Sequence, residues 1–274
     1  MRIGKLVVAM LLVLASPAFA EPQEVRGLEA ARAAFERNDF TEAYVRYTSL
    51  MYSPAGPEAL YHLSIIYEGG FGVVPIDDAM ALQLLQGAAD AEYAPALTRL
   101  GMRHYEGSGV PQSHEEGLRL WRRAAALGDV SAMYSLGMYY IYIHGAARDY
   151  VEGARWMRLA ADGGDADAFY ELGRLYNQGR GVERDLAEAA TLMRRAASMG
   201  HTSARVQMVE YYFSGQGVTR DPVRAEMWAI VADQAGHPVS PEGRAVLHAQ
   251  LTAEQRAEAV RLAGACQAAP EAAC

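Results

Sequence analysis

Leu172-Gly173-Arg174-Leu175-Tyr176-Asn177-Gln178-Gly179-Arg180-Gly181-Val182 is followed, after a short gap, by Asp185 and a run that closes on Ala196-Ala197-Ser198-Met199-Gly200. The phrase Leu-Gly-x-x-Tyr-x-x-Gly-x-Gly-Val returns along the 274-residue chain. Shifted copies put Leu63, Leu100, Leu136, Leu172 and Met208 in one column, spaced 37, 36, 36 and 36 residues apart. Self-similarity at a period of about 20–50 residues marks a solenoid, in which each unit packs on its neighbours and function lies on an extended surface.

Each repeat reads as two antiparallel helices. In the fourth copy Ala168, Leu172, Leu175 and Tyr176 share one helical face. Gly173 removes a side chain where a neighbouring helix comes close, and Gly179 stops the helix because glycine accepts the left-handed conformation. Gly181 is expected to keep the connector flexible, and Val182 to fill the seam below it. Asp185 sits where a carboxylate caps the second helix, with Glu188 at capping-box spacing. The capping column runs Asp77, Ser113, Asp149, Asp185, Asp221; the closing column runs Glu92, Gly128, Gly164, Gly200, Gly236. Leu84, Leu120, Trp156, Leu192 and Trp228 form the bulky column of the second helices, and Ala96, Ala132, Ala168 and Ala204 permit close helix contact.

These residues resemble the Sel1-like repeat, a relative of the tetratricopeptide repeat. The resemblance implies an all-α fold, a right-handed α-solenoid of antiparallel helix pairs. Five repeats are expected over residues 57–238, as 57–93, 94–130, 131–166, 167–202 and 203–238. Residues 24–56, with Ala33, Phe35, Phe40, Ala43 and Tyr47, resemble a degenerate tetratricopeptide-type helix pair. Residues 239–265 are expected to supply a C-terminal capping helix, and 266–274 a short tail.

Residues 1–20 carry a different signal. Arg2 and Lys5 precede an apolar run from Leu6 to Leu14, Pro17 breaks it, and Ala18-Phe19-Ala20 has the small-x-small pattern of a cleavage site. The run falls short of the roughly 20 apolar residues of a membrane span. The expectation is a cleavable signal peptide and a periplasmic product without membrane insertion, the alternative being full secretion. Loss of Arg2 and Lys5 takes the formal charge from −8 to −10, and the remaining chain contains no lysine. An acidic chain without a basic tract argues against nucleic acid as a partner. Cys266 and Cys274 leave two possibilities open in an oxidising compartment, a local disulfide or dimerisation through one cysteine.

Catalytic patterns are sparse. The seven histidines show no metal-ligand spacing, and two cysteines without a histidine nearby make a weak ligand set, so neither metal nor cofactor is expected. Tyr105-Glu106-Gly107-Ser108-Gly109-Val110 lies between helices and lacks a following lysine, unlike a phosphate loop. A Ser-x-x-Lys acylation pair is impossible beyond Lys5. Acidic pairs such as Asp77-Asp78 stand at helix starts, where they complement the helix dipole. The chain is therefore expected not to be an enzyme. The alternative is a secreted hydrolase or a cell-wall or β-lactam-binding protein on the same solenoid.

The favoured reading is a periplasmic scaffold that binds another protein as adaptor, assembly factor or regulator. Its expected contact face lies on the first helices, at positions flanking the Leu column: His62, Arg99, Ser135 and Glu171 in one set, Met102, Met138 and Arg174 in the other. The third repeat departs most from the phrase, with Tyr139-Tyr140-Ile141-Tyr142-Ile143-His144-Gly145-Ala146 where its siblings have Tyr-x-x-Gly-x-Gly-Val. Crowded tyrosine and isoleucine at a turn point to a contact through Tyr139, Ile141, Tyr142 and Ile143. The alternative is a helix longer by a turn, with Ile141 or Ile143 buried against the next repeat.

Overall fold

The computed structural model describes residues 22–143, 148–269 and 274. The expected signal peptide and His144, Gly145 and Ala146 lie outside the described residues. Among the described residues every regular element is an α-helix, so the chain is an all-α solenoid of helix pairs. No helix there is long and apolar enough to cross a membrane. The chain divides into two compact units, the first ending at Ala96 and the second running from Leu97 to Cys274.

The first unit contains α1 (Pro22–Glu36), α2 (Phe40–Leu50), α3 (Gly56–Gly69) and α4 (Asp78–Asp90). Its core gathers Ala31, Ala34, Ala43, Tyr47, Leu63 and Ile66, all at most 2% exposed. Burying such side chains is the dominant favourable term, about 1.5–3 kcal/mol for each large one. Asp39 caps α2 by accepting from the Glu42 N–H at 3.0 Å.

The second unit opens within α5 (Ala94–Glu106) and continues through α6 (His114–Ala126), α7 (Val130–Tyr142), α8 (Tyr150–Asp162), α9 (Ala166–Gln178) and α10 (Leu186–Ser198). It closes with α11 (Thr202–Ser214), α12 (Pro222–Gln234), α13 (Pro241–His248) and α14 (Ala253–Ala268). Helices consecutive in sequence pack on each other from α6 to α12, and α14 then packs directly on α12. Residues 239–265, expected to hold one capping helix, carry two. Pro241 at the start of α13 and the Thr252–Gln255 capping box of α14 set separate starts. Cys266 and Cys274 form a disulfide that ties the C-terminal residue back to α14, resolving the alternatives in favour of a local bond.

The repeat columns have clear physical duties. Leu100, Leu136, Leu172 and Met208 are at most 2% exposed, and the alanine column is fully buried. Ser113, Asp149, Asp185 and Asp221 each accept from the first-turn amides of the second helices, as expected. A second capping column starts the first helices: Asp129 and Asp165 accept from Ala132 and Ala168, and His201 Nδ1 does so from Ala204. At Gly173 a Cβ would stand 3.3 Å from the Ala189 carbonyl oxygen, so the glycine does admit the neighbouring helix.

Gly181 differs from the expectation. A Cβ there would lie 2.0 Å from the Tyr150 carbonyl oxygen at the start of α8. Its φ is +70°. In this repeat the second glycine of the phrase is thus a steric requirement of close backbone approach, whereas at Gly109 an added Cβ would meet only the end of the Arg103 side chain, at 3.5 Å. Gly217 repeats the arrangement 1.9 Å from the Leu186 carbonyl oxygen.

Candidate partner-binding surface

α7 is where the repeat pattern breaks. Its siblings α9 and α11 end on Gly179 and Gly215 in the left-handed conformation, with the cap N–H donating to Leu175 and Tyr211 carbonyls. Isoleucine resists that conformation. Ile143 instead takes φ −58° and ψ 140°, and the chain leaves α7 extended, without the extra turn offered as the alternative. Its N–H still donates to the Tyr139 carbonyl oxygen, at 2.9 Å, so the helix end is satisfied.

That exit leaves an apolar groove of about 330 Å³ on the first-helix face of the second unit. Met102 and Tyr105 of α5 form one wall, and Trp121 of α6 lies at the base. Tyr134, Ser135, Met138, Tyr139 and Tyr142 of α7, with Ile143, complete it. Rings brace one another: Tyr105 is 5.4 Å from Trp121 and 6.1 Å from Tyr139, centroid to centroid. Trp121 Nε1 donates to the Thr98 carbonyl oxygen at 3.1 Å, which fixes its ring beneath Gly101, where a Cβ would clash at 2.7 Å. Burial pushes the Tyr134 phenol up to about 12, with Asp167 and Glu171 adding to the rise.

A smaller polar pocket of about 150 Å³ adjoins the groove, and Tyr142 lines both. Tyr142 donates to Glu171 Oε2 at 2.7 Å, and Arg174 Nη1 reaches the same carboxylate oxygen at 2.9 Å and the Tyr142 oxygen at 2.5 Å. Glu171 is 8% exposed, so this pairing keeps a buried carboxylate satisfied. Burial raises the Tyr142 pKa, and its hydrogen bond to Glu171 raises it further, so the phenol remains a donor. Burial alone would lower Arg174, but the charge of Glu171 and the contact with Tyr142 raise it overall. Arg148, Tyr150 and Arg180 form the far side, the two guanidinium carbons 5.9 and 5.4 Å from the Tyr150 ring centre.

The structure brings most of the expected contact residues together. Met102, Met138, Tyr139, Tyr142 and Ile143 line the groove, while Glu171 and Arg174 belong to the adjoining pocket. Ile141 departs from the expectation of a surface contact. It is 5% exposed and packs its Cγ1 against Gly153, reaching only the floor of the pocket. It belongs to a buried cluster that takes in Met157 of its own repeat and Leu172 and Leu175 of the next. Arg99 is half-buried on α5 and lines neither cavity. His62 lies in the first unit, stacked on Tyr47 at 4.7 Å and edge-on to Phe35, a packing role in place of the expected face. Tyr105, Trp121, Tyr134, Arg148, Tyr150 and Arg180 were not among the expected contacts. Trp121 carried a usable signal: it replaces Leu85, Met157, Met193 and Ala229 in its column and faces the glycine position of the partner helix.

Stacked helix pairs, buried small-residue columns and an aromatic groove on the first-helix face define an α-solenoid interaction scaffold. The Sel1 repeat signature matches residues 57–93, 94–129, 130–165, 166–201 and 210–237, well over half of the sequence, and the chain belongs to the Sel1 repeat family. Sel1 repeats generally mediate protein–protein interaction, and the fold is typically a non-catalytic scaffold. Among solved structures, the chain is similar to a protective antigen of uropathogenic Escherichia coli with an SLR fold, at 28% identity and TM-score 0.74. That match covers 90% of this chain and 54% of the antigen, so the chain spans about half of its length. A Sel1 repeat protein from Oxalobacter formigenes is 24% identical with TM-score 0.66, covering 79% of this chain and 84% of that one. An immunity protein from Pseudomonas aeruginosa is 24% identical with TM-score 0.53, covering 78% and 83%; these two likenesses concern the fold. No curated protein matches the chain.

Proposed function

We propose that this chain is an exported, non-catalytic adaptor of the cell envelope that binds another protein through the groove on α5 and α7. The observation that carries the reading is the groove itself. Large aromatic and thioether side chains face an open cavity, and Tyr142 is 42% and Met102 39% exposed, although the repeat could have placed polar residues there. Tyrosine and methionine are both enriched at protein interfaces, and tyrosine is among the side chains that carry most of the binding energy there. Periplasmic location is supported by the basic start, apolar run and Ala18-Phe19-Ala20 of the first twenty residues. The role within the envelope is that of adaptor, assembly factor or regulator, which share this surface.

The test is affinity capture from envelope extracts with wild type beside Tyr142→Ala and Met102→Glu, each checked for unchanged helicity. A protein captured by wild type and lost from both variants supports the reading; an identical captured set removes the groove from it. Fractionation of cells expressing the tagged chain, with N-terminal sequencing of the product, checks export. A product that keeps residues 1–20 in the cytoplasm overturns the location.

A further inference from the structure

The joint between the leading helix pair and the first repeat holds a titratable ring that the groove does not use. His62 of α3 stands where three helices meet. Its ring stacks on Tyr47 of α2, with centroids 4.7 Å apart and planes 8° off parallel, and meets Phe35 of α1 edge-on at 4.7 Å. Tyr61 of α3 closes a third side at 5.3 Å. We propose that this ring is an acid-released latch: neutral, it holds α1 and α2 on α3, and on taking up a proton it lets that pair come away.

Hydrogen bonding favours the neutral ring. Nε2 lies 3.8 Å from Glu58 Oε1, so the proton of the neutral ring is best placed there. A second proton falls on Nδ1, which is buried and has no hydrogen-bond partner among the described residues. Tyr47 Oη is buried as well, and it too has no partner there. A buried N–H without an acceptor forfeits the solvation it enjoys in the unfolded chain. Glu58 offers little relief, because Arg32 of α1 already holds both its oxygens, through Nε at 2.5 Å and Nη2 at 2.6 Å. An imidazolium would compete with that guanidinium and leave the three groups with a net positive charge.

The surrounding charges point the same way. Burial holds the Tyr47 phenol far above its ordinary range, so it supplies no anion to balance the ring, and Glu36 of α1 and Tyr93 beyond α4 act on that phenol. Burial also lowers the His62 pKa, with Glu58 opposing and Arg32 adding to the effect. The folded ring therefore takes a proton less readily than the unfolded chain does, and the latch weakens as pH falls below about 6.5. α1 and α2 lead the described array, α1 packing on α2 and α2 on α3. An end pair of a solenoid can open while the remaining repeats stay folded. Its release would uncover Ala59, Leu63 and Ile66 of α3, which share a core with Ala31, Ala34, Ala43 and Tyr47.

The test is hydrogen exchange of the purified full chain, followed by mass spectrometry at about pH 7.5 and about pH 5.0 and corrected for the chemical exchange rate at each pH. Protection of the α1 and α2 amides should fall about five- to tenfold on acidification, while that of α10 to α12 stays within about twofold. His62→Phe keeps a ring in the stack but cannot titrate, and should abolish the acid response. Arg32→Gln frees Glu58 for the imidazolium, and should shrink the acid response to about twofold even though the joint is looser at both pH values. A merely structural ion pair would not change the pH dependence in that way. Unchanged protection of α1 and α2 in the wild type, an equal acid loss in both units, or a full acid response in His62→Phe overturns the proposal. Should His62→Phe fail to fold, an acid response in Arg32→Gln as large as in the wild type overturns it.

Discussion

Gly181→Ala tests whether the second glycine of the repeat phrase is a steric fit between connector and helix. Gly181 has φ +70°, and its Cβ would stand 2.0 Å from the Tyr150 carbonyl oxygen and 2.2 Å from the carbonyl carbon. Gly164 provides the control, with φ +88° and nothing within 4 Å of an added Cβ. Left-handed alanine costs roughly 1–2 kcal/mol. A less free unfolded chain returns about 0.4–1 kcal/mol of that. Gly164→Ala should therefore lose about 1 kcal/mol.

At Gly181 the same conformational cost applies, and backbone must also move. Ordinary contact begins at 3.4 Å, so the connector must draw away from the first turn of α8 by about 1.4 Å. Both sides of the clash are main chain, and neither can rotate aside. Forced overpacking costs about 1–3 kcal/mol, which brings Gly181→Ala to about 3 kcal/mol. A solenoid can open piecewise, so the assay is hydrogen exchange of the α8 amides beside urea unfolding followed by circular dichroism. Equal losses in the two variants, within about 0.5 kcal/mol, would refute the close-approach argument.

Three further outcomes follow from the same structure. Burial lowers the His62 pKa, with Arg32 adding to and Glu58 opposing the effect. The unfolded chain then binds the proton more tightly, so the first unit should lose stability as pH falls below the ordinary value of about 6.5. The loss should not exceed about 1.4 kcal/mol per pH unit, and His62→Phe should flatten the urea midpoint against pH. Arg244→Met should destabilise the docking of α13 by about 2 kcal/mol. It leaves Glu226, 4% exposed, with only His248 at 3.0 Å among its present partners, and thermal unfolding with Glu226→Gln added should recover part of the loss. Asp185→Ala removes the acceptor of the Ala187 and Glu188 amides and should cost about 1 kcal/mol, read by hydrogen exchange in the first turn of α10.

What could be read from the sequence was local or periodic. Asp185 announces a helix start because its carboxylate acts on amides two and three residues on, within the same few residues of chain. Ala132 and Leu136 announce burial because the same positions recur in every copy. Gly181 was legible as special but not for the right reason, since the Tyr150 carbonyl that excludes a side chain lies 31 positions earlier. The Tyr142–Glu171–Arg174 cluster spans two repeats, and Arg148 meets Arg180 across the Tyr150 ring. Such pairings depend on how one repeat lies on the next, and a single sequence carries no mark of them. His62 shows the reverse failure: its column position matched the other face residues, but Tyr47 and Phe35 of a different helix pair enclose it.

The location of the groove follows from the economics of a repeat. Positions that recur are spent on packing: the alanine and leucine columns are buried, and the capping aspartates are occupied with helix amides. A partner can be recognised only by positions the stack does not need. Those lie beside the columns and at the turns, where a substitution alters one helix end and leaves the neighbouring contacts intact. Ile143 is such a substitution. It gives up the left-handed stop that Gly179 and Gly215 provide, yet its N–H still donates to Tyr139. The helix end remains satisfied, and Tyr142 is held between the apolar groove and the arginine pocket. The departure from the repeat and the groove beside it therefore meet at one place, a turn released from the repeat's geometry where the fold tolerates it.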